Sequence, residues 1–278
     1  MKNIKYLLLR RVTQIGILVL YFAANAYGWN ILAGTFGSSL LFGTIPLADP
    51  YTTLQVLATG FVLGADVLLG AAIITLFYFI VGGRAFCSWV CPINMVTDLA
   101  NWLRRKLELD KEATTKYRFL KRETRYWFMV LGLVVSAVVG IAAFEAISPI
   151  TIMQRGIIFG FGAGVSLIVA IFLFDLFGVK NGWCGHLCPL GASYSLIGKA
   201  SLIRVNHDHE ACTACMHCKD VCPEVHVLHM INKESIQVTD GECTNCGRCI
   251  DVCDDDALSF SIRNYIKTRE ASNEALVQ

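Results

Sequence analysis

Histidine is missing from the first 185 residues of this 278-residue chain; the six histidines are His186, His207, His209, His217, His226 and His229. A bis-histidine haem inside the long apolar segments is therefore excluded, and the lack of any C-x-x-C-H excludes ordinary c-type haem attachment. Charge is scarce too: 17% of residues are Asp, Glu, Lys or Arg, against 55% hydrophobic, far from the balance of an ordinary soluble domain. The net charge of +2 provides no field that would select nucleic acid or an acidic partner. Val12 to Ala48 and Gly156 to Phe174 carry no charge at all, Thr52 to Gly83 carries only Asp66, and Tyr126 to Thr151 only Glu145.

A bilayer core takes ~20 apolar residues per helix, so these runs predict four spans, near 12–33, 54–82, 126–147 and 156–178. Lys2, Lys5, Arg10 and Arg11 precede the first. The loop between the second and third holds Arg84, Arg104, Arg105, Lys106, Lys111, Lys116, Arg118, Lys121, Arg122 and Arg125, whereas the outer loops hold only Arg155. Positive charge stays inside, which places both termini and the central loop in the cytoplasm of a bacterial inner membrane. The run Arg118–Arg125 suits anionic lipid at the inner face. Arg10-Arg11 followed by an apolar stretch and Ala24-Asn25-Ala26 also resembles a cleavable signal. The run continues through Trp29-Asn30-Ile31-Leu32, however, which favours a retained span.

Twelve cysteines all fall on the predicted cytoplasmic side, where structural disulfides are rare. Cys212-x-x-Cys215-x-x-Cys218-x-x-x-Cys222-Pro223 and Cys243-x-x-Cys246-x-x-Cys249-x-x-x-Cys253 have the bacterial ferredoxin spacing for 4Fe–4S clusters, in which the fourth cysteine of each run serves the other cluster. Cluster one then takes Cys212, Cys215, Cys218 and Cys253; cluster two takes Cys243, Cys246, Cys249 and Cys222. Zinc also binds C-x-x-C pairs, but two identical four-cysteine runs fit iron–sulfur better. Asp254 stands where proline is usual, and Asp254-Asp255-Asp256 should lower the potential nearby. Leu202–Asn206, Val227–Ile231, Ser235–Thr239 and Leu258–Ile262 read as short strands.

The other four cysteines form two C-x-x-x-C-P pairs, Cys87/Cys91 and Cys184/Cys188, each after an apolar run. Pro92 and Pro189 suit the start of a helix, so each pair is predicted on a loop leading into a helix along the membrane surface. Asp49–Gln55 (DPYTTLQ) and Ser148–Gln154 (SPITIMQ) also keep Pro, Thr and Gln in step. The membrane part thus reads as a duplication about a pseudo-twofold axis, which would gather the four cysteines at the cytoplasmic face. Four thiolates can hold a third 4Fe–4S cluster; a redox-active dithiol pair, inert thiols or a metal-relay site are the alternatives.

The predicted fold is an α-helical polytopic membrane protein, with four transmembrane helices as two duplicated hairpins and a C-terminal α+β ferredoxin-like domain. Residues 1–200 form the membrane domain, 201–265 the twin-cluster domain and 266–278 a polar tail. Within the spans, Asp66 is a candidate proton acceptor, either hydrogen-bonded to Asn25 or serving a quinone, because intramembrane carboxylates are costly. Glu145 and Asp175 read as solvated or ordinary groups near the interfaces. His186 is a candidate donor or proton relay within its cysteine loop, and the other histidines read as surface groups.

Arg10-Arg11-x-x-Gln14, the two C-x-x-x-C-P motifs and the twin-cluster tail together resemble the NapH-type ferredoxin-like membrane proteins of periplasmic nitrate reductase systems, related to MauN and FixG. The likeness runs over essentially the whole chain, and the short segment after Cys253 fits the NapH type better than FixG. The resemblance implies a quinol dehydrogenase subunit acting within a complex. It would draw on the membrane quinol pool and pass electrons through a separate iron–sulfur protein and cytochromes c towards nitrate reductase. Cytoplasmic clusters and a periplasmic acceptor sit uneasily together. A membrane-bound reductase using cytoplasmic electrons for metal or cofactor assembly, and a docking scaffold, therefore stay open as other functions.

Overall fold

The computed structural model describes residues 4–109, 121–160 and 162–263. Lys111, Lys116, Arg118 and the tail expected over 266–278 lie outside the described residues. The chain divides into two compact units: Met1–Arg10, Tyr78–Ser88 and Tyr194–Gln278 form the first, and Arg11–Phe77 with Trp89–Ser193 the second.

Helix α1 (Lys5–Tyr27) has 23 residues. Among the described residues it is the one helix long and apolar enough to cross a membrane by itself. The segment after it folds into an antiparallel meander of β1 (Leu32–Gly34), β2 (Ser38–Leu41) and β3 (Ile45–Ala48), with Leu32 opposite Leu41 and Ser38 opposite Ala48. The span expected near 54–82 is two helices, α2 (Pro50–Ala58) and α3 (Ala65–Val81). Gly60, at φ +82, takes a backbone state that side chains resist, and the helix restarts after Gly64. The 17 residues of α3 reach about 26 Å at 1.5 Å per residue, short of a hydrocarbon core of about 30 Å.

The second half breaks similarly. Gly140 at φ +78 ends α6 (Thr124–Val139) ahead of α7 (Ala143–Ile147), and Gly160 at φ +94 separates α8 (Pro149–Phe159) from α9 (Val165–Phe177). The element order repeats as well. In the first half α2 and α3 lead to α4 (Ala85–Trp89) and α5 (Ile93–Lys106); in the second, α8 and α9 lead to a π-helical turn (Trp183–Leu187) and α10 (Pro189–Gly198).

The echoed segments are working parts of the second unit. Asp49 caps α2 by accepting from the Thr52 amide at 2.8 Å. Gln55 and Gln154 are both buried: Gln55 accepts from the Phe144 amide at 2.9 Å and Gln154 from the Phe36 amide at 3.1 Å. Glu145, expected to be solvated, is half-buried and accepts from Thr151 Oγ1 at 2.6 Å and Thr52 Oγ1 at 3.4 Å, joining one threonine from each copy.

In the first unit, β4 (Ile203–His207) pairs antiparallel with β5 (Leu258–Ile262), His207 opposite Leu258. Of the other strands expected, Ser235–Thr239 contributes one bridge, Asn206 to Gln237. Val225–Leu228 is a 3-10 turn, so Val227–Ile231 is not a strand. Val227, Leu228, Met230 and Ile231 are all buried. They pack with Val205, Val238 and Leu258 into the core that carries α11 (His217–Val221) and α12 (Arg248–Asp251).

Candidate metal centres

The two ferredoxin-spaced runs fold into matching loops. Left-handed backbone falls at Ala214 (φ 58) and Met216 (φ 62) in the first, and at Asn245 (φ 46) and Gly247 (φ 70) in the second. Left-handed residues in such turns let neighbouring N–H groups converge on one concavity, the nest that recurs at anion and Fe–S sites. Each loop enters a single helical turn that carries its third cysteine, Cys218 on α11 and Cys249 on α12.

The fourth cysteine of each run crosses to the other loop. Cys212, Cys215, Cys218 and Cys253 line one cavity with Ile231, Val252 and Leu258. Cys243, Cys246, Cys249 and Cys222 line a second with Val205, Val227 and Leu228. Four thiols around an apolar pocket beside a nest fit the ligand set of a 4Fe–4S cluster. Burial pushes the Cys218 and Cys243 thiols up to about 11 and Cys249 well above its ordinary value, neighbouring thiolates adding to the rise. These thiols hold their protons at neutral pH until metal displaces them.

Around the second cavity lie residues that no local motif announced. Arg84, fully buried, pairs with Glu224 at 2.7 Å and also donates to the Glu242 carbonyl at 3.0 Å. Ser88 Oγ donates to the Thr244 carbonyl at 2.7 Å, and Asn245 Nδ2 donates to the Val81 and Ile203 carbonyls at 2.8 Å each. Asp251 accepts from the Tyr6 and Leu7 amides at 3.3 and 3.2 Å, while the Tyr6 ring covers Gly247. Beside the first cavity, Asp255 accepts from the amide and hydroxyl of Thr213 at 3.1 and 2.6 Å.

The C-x-x-x-C-P cysteines are not on plain loops: Cys87 sits on α4 and Cys184 on the π-helical turn. Cys87 belongs to the first unit; Cys91, Cys184 and Cys188 belong to the second. Cys91 and Cys188 are buried and their pair-mates half-buried. In the second unit the Arg-x-x-Gln element braces the first motif. Arg11 pairs with Asp98 at 2.5 Å and donates to Gln14 at 2.7 Å, and Gln14 Nε2 donates to the Cys91 carbonyl at 3.2 Å.

Other candidate residues require correction. Asp66 is not at mid-span: it is exposed in the first turn of α3, because the glycine break starts the helix there, and a carboxylate suits that end of a helix dipole. His186 is buried, as is Asp175, whose Oδ1 accepts from the Trp183 amide at 3.0 Å. Arg125, counted with the lipid-facing basic run, is completely buried. His207, expected at the surface, is 1% exposed.

The chain matches a family described as "4Fe-4S binding domain" twice, over residues 63–110 and 160–206, each match containing one C-x-x-x-C-P pair. A "4Fe-4S dicluster domain" matches residues 204–254. It is 46% identical to the ferredoxin-type protein NapH of Escherichia coli over 93% of this chain and 90% of that protein. The NapH of Haemophilus influenzae is 45% identical over 86% of this chain and 83% of its own length. The methylamine utilization ferredoxin-type protein MauN of Methylorubrum extorquens is 47% identical over 81% of this chain and 77% of its own. No solved structure matches. With its cysteine loops, its duplicated motif and this identity along most of its length, the chain belongs to the NapH/MauN family of ferredoxin-type electron-transfer proteins.

Proposed function

We propose that this protein takes electrons from quinol in a bacterial cytoplasmic membrane and passes them to a partner iron–sulfur protein. The observation that carries the reading is the coexistence of two four-thiol cavities with helices whose outward faces are apolar. Leu68, Leu69 and Leu76 on α3, Val130, Leu131 and Val134 on α6, and Val169 and Leu173 on α9 are all exposed. Apolar surface on this scale calls for a covering phase, and lipid supplies it. The excess of Lys and Arg in the leader and central segment then puts the clusters on the cytoplasmic side.

When bound, 4Fe–4S clusters supply reversible one-electron transfer. The chain's own residues hold and shape the sites: Cys212, Cys215, Cys218 and Cys253 ligate one cluster, and Cys222, Cys243, Cys246 and Cys249 the other. Cys87, Cys91, Cys184 and Cys188 hold a third, a reading supported by the "4Fe-4S binding domain" family matching once over each pair. Oxidation of quinol yields quinone, two electrons and two protons, so the electrons leave in single steps.

Identity to NapH supports a route towards a nitrate reductase system. The comparable identity to MauN, 47% in Methylorubrum extorquens, supports a second reading in which the chain serves methylamine utilization.

Anaerobic protein in liposomes, mixed with a reduced short-chain quinol, is expected to lose part of its visible cluster absorbance. Bleaching only by a low-potential donor on the soluble side would instead favour the assembly-reductase role. Iron counting tests the third cluster. Wild type is expected to carry about twelve irons, and a variant with Cys87, Cys91, Cys184 and Cys188 all changed to Ser about eight. Equal counts near eight would return these four cysteines to dithiol or structural chemistry.

A further inference from the structure

Two buried arginines of the first unit grip the turn that delivers Cys243. Arg204, 1% exposed, stands on β4 next to Val205, which lines the second cavity. Its guanidinium donates to the Asp240 carbonyl at 3.0 Å and to the Ser201 carbonyl at 3.3 Å, and Nη2 donates to the Gly198 carbonyl. The Cys243 amide donates to that same Asp240 carbonyl at 3.3 Å, so a single oxygen joins the guanidinium to the backbone of Cys243. Arg84 holds the next link, the Glu242 carbonyl, at 3.0 Å, and Arg248 lines the cavity itself. Both buried charges reach the sulfur: burial pushes the Cys243 thiol up, and Arg204 and Arg84 pull against that rise. The carboxylates of this region face other groups. Glu224 pairs with Arg84, Asp240 accepts from the Glu242 amide at 3.1 Å, Glu242 Oε2 lies 2.6 Å from His226 Nε2, and Asp251 accepts from the Tyr6 and Leu7 amides. The first cavity has the opposite setting, with Asp255 in its lining and Asp254 and Asp256 exposed on either side.

We propose that Arg204, fixed against the turn before Cys243, raises the potential of the cluster held by Cys222, Cys243, Cys246 and Cys249 and so sets it above that of the cluster held by Cys212, Cys215, Cys218 and Cys253. The inference rests on the ligand assignment of the preceding section. Arginine stays cationic throughout the working pH range, so the effect needs no protonation event. Reduction adds one negative charge to a cluster, and a fixed positive charge beside it favours that state. In buried surroundings the attraction is weakly screened. Asp254, Asp255 and Asp256 act in the opposite sense on the other cluster. An electron therefore rests at the enclosed site, whose Cys246 and Cys249 are buried, and leaves by way of the site whose Cys215 is exposed, where a partner can reach it.

The test is a redox titration of full-length, anaerobically loaded protein, followed by electron paramagnetic resonance, with iron and sulfide counted first. Cys246→Ser and Cys215→Ser, each of which alters or removes one signal, identify the components of the two sites. In wild type the Cys246 component is expected at the higher potential. Arg204→Met should lower the reduction constant of that component about tenfold, about 59 mV for one electron, and leave the Cys215 component unchanged. Arg204→Lys keeps the charge and should stay near wild type, whereas a merely structural role would move the two variants alike. A loaded Arg204→Met with wild-type potentials would overturn the inference. So would equal shifts in the Met and Lys variants, or a shift shared by both clusters. Should Arg204→Met fail to load, the wild-type order decides, and a Cys246 component at the lower potential overturns the inference. A wild type that lacks this cluster would instead defeat the ligand assignment, a separate failure visible in the iron count.

Discussion

Arg84→Met is expected to destabilise the first unit by about 3–5 kcal/mol, the cost of removing one partner from a buried ion pair. The side chains of Arg84 and Glu224 are only 2% and 3% exposed, and their charged atoms are 2.7 Å apart. Methionine fills much of the arginine's volume, so lost charge rather than lost packing dominates. His226 Nδ1 stands 3.9 Å from Glu224, beyond hydrogen-bonding reach, and His226 Nε2 lies 2.6 Å from Glu242, so that histidine does not stand in for the guanidinium. Glu224 lies two residues after Cys222 and lines the same cavity, so the damage should appear as early loss of one cluster on heating. The measurement is thermal decay of cluster absorbance beside the iron content of the surviving protein. Arg84→Met combined with Glu224→Gln should recover most of the loss, because removing both charges removes the desolvation problem. A single variant that melts like wild type would mean water reaches the pair.

The gathering of the eight tail cysteines into two four-thiol cavities was legible because the pattern is local: three thiols within one loop stand at fixed spacing, and the crossed fourth follows from having two runs. The duplication was legible from short echoes such as Asp49–Gln55 and Ser148–Gln154, whose glutamines are both buried anchors. What the sequence hid is long-range. Arg84 and Glu224 are 140 residues apart, and nothing near Gly82-Gly83-Arg84 names its partner. His207 looked like a polar residue in a polar tail, and only the pairing of β4 with β5 shows that it faces inward. Apolar runs also overstated the helices. A hydrophobic count passes over Gly60, Gly140 and Gly160, whereas the backbone turns left-handed there and a span becomes two pieces. Asp66 moved for that reason, from the middle of an imagined span to an exposed first turn.

Gly83→Ala is expected to be more disruptive than its one added methyl suggests. A Cβ at Gly83 would lie 2.0 Å from the Tyr194 carbonyl oxygen, 2.2 Å from the Gly198 amide nitrogen and 2.6 Å from the Gly198 Cα. All three are backbone atoms at the end of α10, so no rotamer change relieves the clash, and one segment of chain must move away from another. Overpacking that side chains can absorb costs about 1–3 kcal/mol; here the cost should reach or exceed the top of that range. The movement also has consequences for the metal site. Gly82 is at φ +127, and a Cβ there would meet the Asn245 amide at 2.3 Å. Asn245 belongs to the Cys243–Cys246 loop and fastens it to the Val81 and Ile203 carbonyls at 2.8 Å each. Separating α10 from the glycine pair therefore pulls on the loop that carries Cys243 and Cys246. The expected result is a sharp fall in iron per chain and a lowered Tm for Gly83→Ala. Gly16→Ala in the middle of α1, where a Cβ would meet nothing within 4 Å, should be neutral or slightly stabilising through helix propensity, by up to about 1 kcal/mol. If the two variants load and melt alike, the Gly82-Gly83 junction is not what holds the cysteine loop in place, and other contacts, those of Arg84 and Ser88 among them, carry the anchoring.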